Sequence, residues 1–280
     1  MKNLLIVTLI WMLCFPVFAQ KGAYLGHLSW IAAEERMKNT PIVIIPFGAG
    51  AKEHGPHLPM NADQAVMDYL IEQAVSAENV IVTPPVLHGW FPAFRGFPGT
   101  EVSDPDVFRQ YVQQIAESLV RQGAQRIVFL NMGIFRATGL PLSIAAREVR
   151  VETGVPTLVV NWDDLETDEA ASVFEQKSGG HADEVETSIN LYLQPEKVDM
   201  SLAIKDYREH LKKEYGGYRP GLFSKDKSDP FYSESGLSGD PTLATAEKGK
   251  KVLQIMSKEW LSILRGFATS PTKGKQIGTN

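Results

Sequence analysis

Two histidines and two carboxylates fall in one short, turn-rich segment that follows an apolar run. The run is Ile42 to Phe47, and the segment is Lys52-Glu53-His54-Gly55-Pro56-His57-Leu58-Pro59-Met60-Asn61-Ala62-Asp63. The apolar run predicts a buried strand. Open α/β sheets bind their ligands beyond the carboxyl ends of strands, and imidazole and carboxylate groups bind divalent metals. The segment therefore predicts a metal-assisted hydrolytic site.

Short β-branched runs alternate with helical patterns over most of the chain. The predicted strands are Ile42–Phe47, Val80–Thr83, Ile127–Leu130 and Thr157–Val160. The predicted helices are about Asp63–Ala77, Asp104–Gln122, Leu140–Glu152, His181–Leu193 and Pro241–Phe267. A long loop is predicted between residues 216 and 240, where Gly, Ser, Pro and Asp are frequent, and such loops are often lids or intersubunit arms. The alternation predicts an α/β fold with a mostly parallel sheet and helices on both faces.

The first nineteen residues have the pattern of a secretory signal. Lys2 precedes an apolar stretch, Leu4 to Phe18, and cleavage is expected after Ala19, so that residues 20–280 form one domain. The alternative is an uncleaved anchor, although the stretch is short for a membrane span. A periplasmic or secreted protein is predicted, with no membrane attachment after cleavage. The sole cysteine, Cys14, leaves with the signal, so thiol chemistry is excluded.

Charge argues against nucleic acid as a partner. The chain has a formal net charge of -5 and shows no cluster of lysines and arginines. A small polar molecule is the expected ligand.

Four motifs in a fixed order resemble those of the creatininase (creatinine amidohydrolase) family. The first is Ile45-Pro46-Phe47-Gly48 followed by Glu53 to Pro59 and Asp63, and the second is Phe97-Pro98-Gly99-Thr100. The third runs from His181 to Ser188, and the fourth from Gly239 to Ala244. The resemblance implies a three-layer α/β/α fold, frequently assembled into homo-oligomers, that hydrolyses amide C–N bonds with a pair of divalent metals.

The same resemblance implies roles for individual residues. His54 and Asp63 match metal ligands, while His181 matches the family's proton-transfer histidine and Glu186 the glutamate that accompanies it. Each of three residues also has a purely structural alternative. Asp63 is suited to cap a helix, His181 could make ordinary contacts at the start of a helix, and Glu186 could hydrogen-bond a neighbouring loop. A histidine, whose ordinary pKa is about 6.5, can take a proton from water and return it to a leaving nitrogen.

The metal motifs depart from the family pattern at two places. Lys52 stands where the family has a glutamate, with Glu53 at the intervening position, and Gly133 stands where the family has a histidine. Two close cations need several anionic or imidazole ligands, so a dinuclear site is not expected. One Zn²⁺ or Mn²⁺ held by His54 and Asp63, with Glu53 or a residue of the His181 helix, is one alternative. The other is metal-free, with Lys52 and Arg136 supplying positive charge.

Aromatic residues are candidates for the walls of a substrate pocket. Trp90 lies in a Gly- and Pro-rich aromatic segment, and Trp162 follows a predicted strand. Both are predicted to bind substrate together with Arg136, and core packing is the alternative for the two tryptophans.

The sequence as a whole predicts an exported creatininase-like amidohydrolase for a small amide or cyclic amide. Its predicted metal ligands are Glu53, His54 and Asp63, and its predicted catalytic residues are His181 and Glu186. The alternative is a binding or scaffold protein that keeps the fold without catalysis. Lys52 is either a cation of the site or a solvated loop charge.

Overall fold

Five strands form one parallel sheet in the computed structural model, which describes residues 20–133, 135–214 and 223–271 without the side chains at 135–138 and 212–214. The strands are β1 (Ala23–Tyr24), β2 (Ile42–Phe47), β3 (Val80–Val82), β4 (Ile127–Asn131) and β5 (Thr157–Asn161). Their order in the sheet is β1-β3-β2-β4-β5, and every neighbouring pair is parallel. The predicted α/β fold with a parallel sheet is confirmed.

Helices cover both faces of this sheet. They are α1 (Trp30–Asn39), α2 (Ala62–Ala77), α3 (Pro105–Arg121), α4 (Phe135–Thr153), α5 (Asp168–Ala171), α6 (Glu184–Leu193), α7 (Glu209–Glu214) and α8 (Ala246–Ala268). One apolar core joins the sheet to α2, α6 and α8, and the other joins it to α3 and α4. Within β2, Ile42 and Ile44 face the first core while Val43 and Ile45 face the second, as the period of two requires. The architecture has three layers, as predicted.

Several element boundaries differ from the prediction. Helix α6 begins at Glu184 rather than His181, because the Asp183 carboxylate caps it by accepting from the backbone N–H groups of Val185 and Glu186. The last helix begins at Ala246, after a short 3₁₀ turn at Pro241–Leu243. Helix α4 begins at Phe135, and neither β1 nor α1 was predicted.

The predicted signal segment lies outside the described residues, so export stays a prediction. Among the residues that the structure describes, no helix combines the length and the apolar character that crossing a bilayer would require.

Helices α6 and α8 pack in close contact at Gly249. A Cβ atom on Gly249 would lie 1.9 Å from the carbonyl oxygen of Ser188. We expect Gly249→Ala to destabilise the protein by about 1–3 kcal/mol, because backbone atoms have little freedom to move aside. Gly266→Ala in the same helix is the matched control, since nothing lies within 4 Å of its Cβ position. That variant should gain about 0.5–1 kcal/mol, and urea unfolding of both proteins measures the difference.

Candidate active site

The candidate site lies beyond the carboxyl end of β2, where its loop meets the start of α6. Lys52, Glu53 and His54 come from this loop, and Asp63 comes from the first turn of α2. His181 and Glu186 come from the chain entering α6 and from its first turn. This is the edge of a parallel sheet at which ligands bind in open α/β folds. The fold therefore brings together residues that lie more than a hundred positions apart.

His54 is buried and held at both ring nitrogens. Its Nδ1 lies 2.8 Å from the carbonyl oxygen of Lys52, and its Nε2 lies 2.9 Å from Asp63 Oδ1. A carbonyl oxygen only accepts, so Nδ1 carries a proton and donates it. The contact between Nε2 and Asp63 Oδ1 needs a proton between the two atoms, so a metal ion bound at Nε2 would replace this contact. Backbone support of one nitrogen with the other left as a lone pair is the usual arrangement of a metal-ligating histidine.

His181 is also buried, but it bonds a backbone carbonyl through Nε2, whereas His54 does so through Nδ1. Its Nε2 lies 2.9 Å from the carbonyl oxygen of Glu53 and 3.0 Å from Glu53 Oε2, so this nitrogen is the donor. Its Nδ1 faces Glu186 Oε2 at 3.7 Å. The Glu53 carboxylate also accepts from the backbone N–H of Gly55. The lone pair of His181 is therefore directed at Glu186, and a carboxylate stands behind the opposite nitrogen.

The chain around His181 is held in an uncommon conformation. Ala182 has a φ of 48°, and its N–H donates to Glu186 Oε2 at 2.6 Å. On the other side, the backbone of His181 pairs with Ser238. Positive φ at a residue other than glycine persists only where its surroundings enforce it. These contacts fix the imidazole against Glu53 and Glu186.

Lys52 is paired inside the protein rather than solvated. Its side chain is 2% exposed, and its Nζ lies 2.6 Å from Asp63 Oδ2. The interpretation of Lys52 as a solvated loop charge is wrong. Burial alone would raise the pKa of Asp63, but the positive charge of Lys52 and the contact with His54 outweigh it and hold that pKa well below its ordinary value. Asp63 is the second residue of α2 and follows Asn61 at the cap position, so its carboxylate serves the site and not the cap.

Three donor groups converge at one point of this network. One ligand atom each from His54, His181 and Glu186 lies within 4.8 Å of the other two. Burial raises the pKa of Glu186 to about 7, although the nearby charges of His181 and Lys52 oppose the shift. Imidazole and carboxylate donors at this spacing suit a single Zn²⁺ or Mn²⁺, and an imidazole of the group that does not bind the ion would lie beside it. Asp63 and Glu53 stand beside this set and bond to its histidines.

Two phenylalanine rings pack over the His181 side of the site. The centroid of the Phe94 ring lies 4.1 Å from that of the His181 ring, and the centroid of the Phe223 ring lies 4.8 Å from that of Phe94, on which it stacks. The guanidinium of Arg208 lies 4.1 Å above the Phe223 ring and continues the column. Phe94 belongs to the same Gly- and Pro-rich aromatic segment as Trp90, whereas the sequence gave no signal for Phe223 or Arg208, which come from distant parts of the chain.

The two tryptophans predicted to bind substrate each pack against one of the apolar cores. Trp90 packs against the core between the sheet and α3 and α4, whereas Trp162 packs against the opposite core. Their substrate role stays a prediction, and so does that of Arg136, whose side chain lies outside the description. His57 joins the loop to α6 through Thr187, at 2.8 Å, and burial lowers its pKa to about 4, so it is neutral near neutral pH.

The fold and the site together define an α/β protein that gathers metal-ligating side chains beyond the strand ends of a parallel sheet. A family model described as creatininase (creatinine amidohydrolase) matches residues 26–264, and the chain belongs to this family. The resemblance inferred from the four motifs is confirmed.

Relatives with assigned activities are hydrolytic enzymes. The chain is 26% identical over 254 residues to the 3-dehydro-scyllo-inosose hydrolase of Thermotoga maritima, which covers 84% of this chain and 80% of that protein. It is 28% identical over 224 residues to the mycofactocin precursor peptide peptidase of Mycolicibacterium smegmatis, covering 77% and 81%.

Solved creatininases share the fold. One, described as creatininase Mn, has a TM-score of 0.70 at 23% identity and covers 89% of this chain and all of that one. Another, a creatininase variant described as the Zn-Zn type, has a TM-score of 0.69 at 24% identity and covers 88% of this chain and 98% of that one.

Proposed function

We propose that this protein is an amidohydrolase that cleaves a C–N bond of a small amide or cyclic amide with the help of one divalent metal. The observation that carries the proposal is the convergence of His54, His181 and Glu186 within 4.8 Å, beyond the end of the central strand β2. Family membership and the hydrolytic relatives support it. The peptidase relative and the family description both name reactions that open a C–N bond.

His54 and Glu186 are the residues that we assign to the metal. His54 donates through Nδ1 to a backbone carbonyl, so its Nε2 would bind the ion in place of the contact with Asp63 Oδ1, and Glu186 would contribute a carboxylate oxygen. A divalent ion bound there supplies Lewis-acid chemistry, which polarises an amide carbonyl and makes water more acidic. Mn²⁺ and Zn²⁺ are the ions named for the creatininases of the same fold, and both suit mixed nitrogen and oxygen donors.

His181 is the residue that we assign to proton transfer. Its Nδ1 accepts the proton of the attacking water, and its Nε2–H stays bonded to Glu53, whose negative charge favours the imidazolium that forms. The same Nδ1 then returns the proton to the leaving nitrogen as the C–N bond breaks. Glu186 Oε2 lies 3.7 Å from Nδ1 of His181, beyond hydrogen-bond distance, and borders the same space. A backbone carbonyl accepts a hydrogen bond from Nδ1 of His54 and from Nε2 of His181. This leaves Nε2 of His54 for the ion and Nδ1 of His181 for the proton.

A binding or scaffold role is the second candidate, and the burial of the site favours it. His54, His181, Lys52 and Asp63 are each at most 4% exposed, and Phe94 covers the His181 ring. These four side chains therefore have little contact with solvent. An ion pair between Lys52 and Asp63 also balances charge without any metal.

Hydrolysis of a defined panel separates these two functions. Purified protein supplied with Mn²⁺ or Zn²⁺ is incubated with creatinine, hydantoin and short amidated peptides, and mass spectrometry detects products that have gained one water. We expect turnover of at least one amide, lowered by about 10²- to 10⁴-fold in His181→Ala. A folded protein that binds the panel compounds without converting any of them would instead support the binding role.

Export and assembly into homo-oligomers remain proposals. The exposed apolar residues on the outer surface of α3 and α4 support assembly, because such side chains are often covered by a second subunit. They are Val107, Tyr111, Leu140 and Ile144.

A further inference from the structure

Lys52 is among the largest fully buried side chains that the structure describes. A lysine is almost never buried without a partner, because removing an ammonium from water is costly. Here the partner is Asp63, at 2.6 Å. The backbone also fixes Lys52 in place, since its N–H donates to the carbonyl of Met60 at 3.0 Å and closes the loop. The ammonium is thus a permanent part of the site.

We propose that the ammonium of Lys52 takes the place of a second divalent ion, so that the protein binds one metal ion where a dinuclear relative binds two. This inference rests on the proposed function, because it takes the assigned metal site as its reference. The charge that a second ion would supply is provided by a covalently attached cation.

The Asp63 carboxylate already has two close neighbours, and this is the first support for the proposal. One carboxylate oxygen faces Lys52 Nζ at 2.6 Å, and the other faces His54 Nε2 at 2.9 Å. A second ion near Asp63 would need several oxygen or nitrogen ligands, and the oxygen that faces Lys52 is already paired with its ammonium. It would also meet the like charge of Lys52 at close range.

The position of the Lys52 ammonium beside the other groups of the site is the second support. The ammonium lies close enough to act on Glu186 as well as on Asp63, and it lies 5.8 Å from the centroid of the Phe94 ring. It therefore borders the same space as the three converging donors. A fixed cation there stabilises negative charge without any coordination chemistry, which is the task that a second metal would otherwise perform.

Metal stoichiometry in the absence of substrate tests the proposal. Full-length protein is stripped with chelator, dialysed and titrated with MnCl₂ and with ZnCl₂ by calorimetry, followed by elemental analysis. We expect no more than one ion per chain. Lys52→Glu should bind a second ion, or bind the first about 10- to 100-fold more tightly, because a like charge is removed and a carboxylate ligand is added.

A matched control separates this effect from net charge. Lys38→Glu makes the same change in charge on the exposed side of α1, where Lys38 pairs only weakly with Glu34, and it should titrate like the natural protein. Lys52→Met, which keeps length and removes charge, is titrated as well and should bind the first ion more tightly. If circular dichroism shows that Lys52→Glu does not fold, the titration of Lys52→Met is the test.

Two results would overturn the inference. One is two ions per chain in the natural protein, and the other is a folded Lys52 variant that titrates like Lys38→Glu. Because binding is measured without substrate, these results are distinct from a failure of the proposed function. A protein that binds one ion but hydrolyses nothing contradicts only the function. An active protein with two ions contradicts the role of Lys52 and the single metal, and leaves the hydrolytic activity standing.

Discussion

Replacing His181 with alanine is expected to lower kcat by about 10²- to 10⁴-fold, the range typical of a positioned acid–base group. The reason is geometric: Nε2 is bonded to Glu53, which leaves Nδ1 to exchange the proton near Glu186. Turnover of the natural protein should also fall toward acid pH, since a protonated imidazole cannot accept a proton from water. Steady-state kinetics on an amide from the substrate panel, between acid and neutral pH, measures both effects.

Two further variants are compared with His181→Ala. His88→Ala changes a histidine that is largely exposed and pairs with Glu101, and it should leave kcat within a few-fold of the natural value. Glu53→Gln keeps the size of the side chain but removes the charge behind His181, and it should reduce kcat more than it changes KM. If His181→Ala hydrolysed the substrate at the natural rate, His181 would have no part in the mechanism.

Replacing Asp63 with asparagine is expected to destabilise the fold by about 3–5 kcal/mol, because it leaves the Lys52 ammonium buried without its countercharge. The double variant Asp63→Asn with Lys52→Met should recover part of this loss, since no unpaired charge remains. Urea unfolding at neutral pH measures both. As a control, Glu34→Gln breaks the exposed pair with Lys38 and should cost at most about 1 kcal/mol.

The pH dependence of the same variant has a definite sign. The pKa of Asp63 is lower in the folded protein than in the unfolded chain, where it is about 3.9. The stabilisation is therefore complete above the unfolded pKa and is lost as the pH falls toward the folded one. The difference in stability between the natural protein and Asp63→Asn should shrink below about pH 4. A difference that grew with acidity would contradict the ion pair.

The strength of local patterns explains how much of the fold could be predicted. Strand β2 and helix α3 carry long, regular patterns, and Asp104 with Pro105 marks the start of α3. Strand β1 has two residues, too few to show a period, and only one residue of α1 is buried. The start of α6 was predicted three residues early because His181 and Ala182 extend the helical pattern, although Asp183 is a recognisable cap.

The sequence by itself determined the family and the three-layer architecture, and it named candidate residues for the site. These follow from motif order and apolar period, which are properties of neighbouring residues. Only the tertiary structure decided that Lys52 is buried on Asp63, that Glu53 supports His181, and that Phe223 covers Phe94. Whether a loop lysine meets water or a carboxylate depends on how α2 and the loop after β2 pack together, and no local pattern encodes such a contact between separate elements.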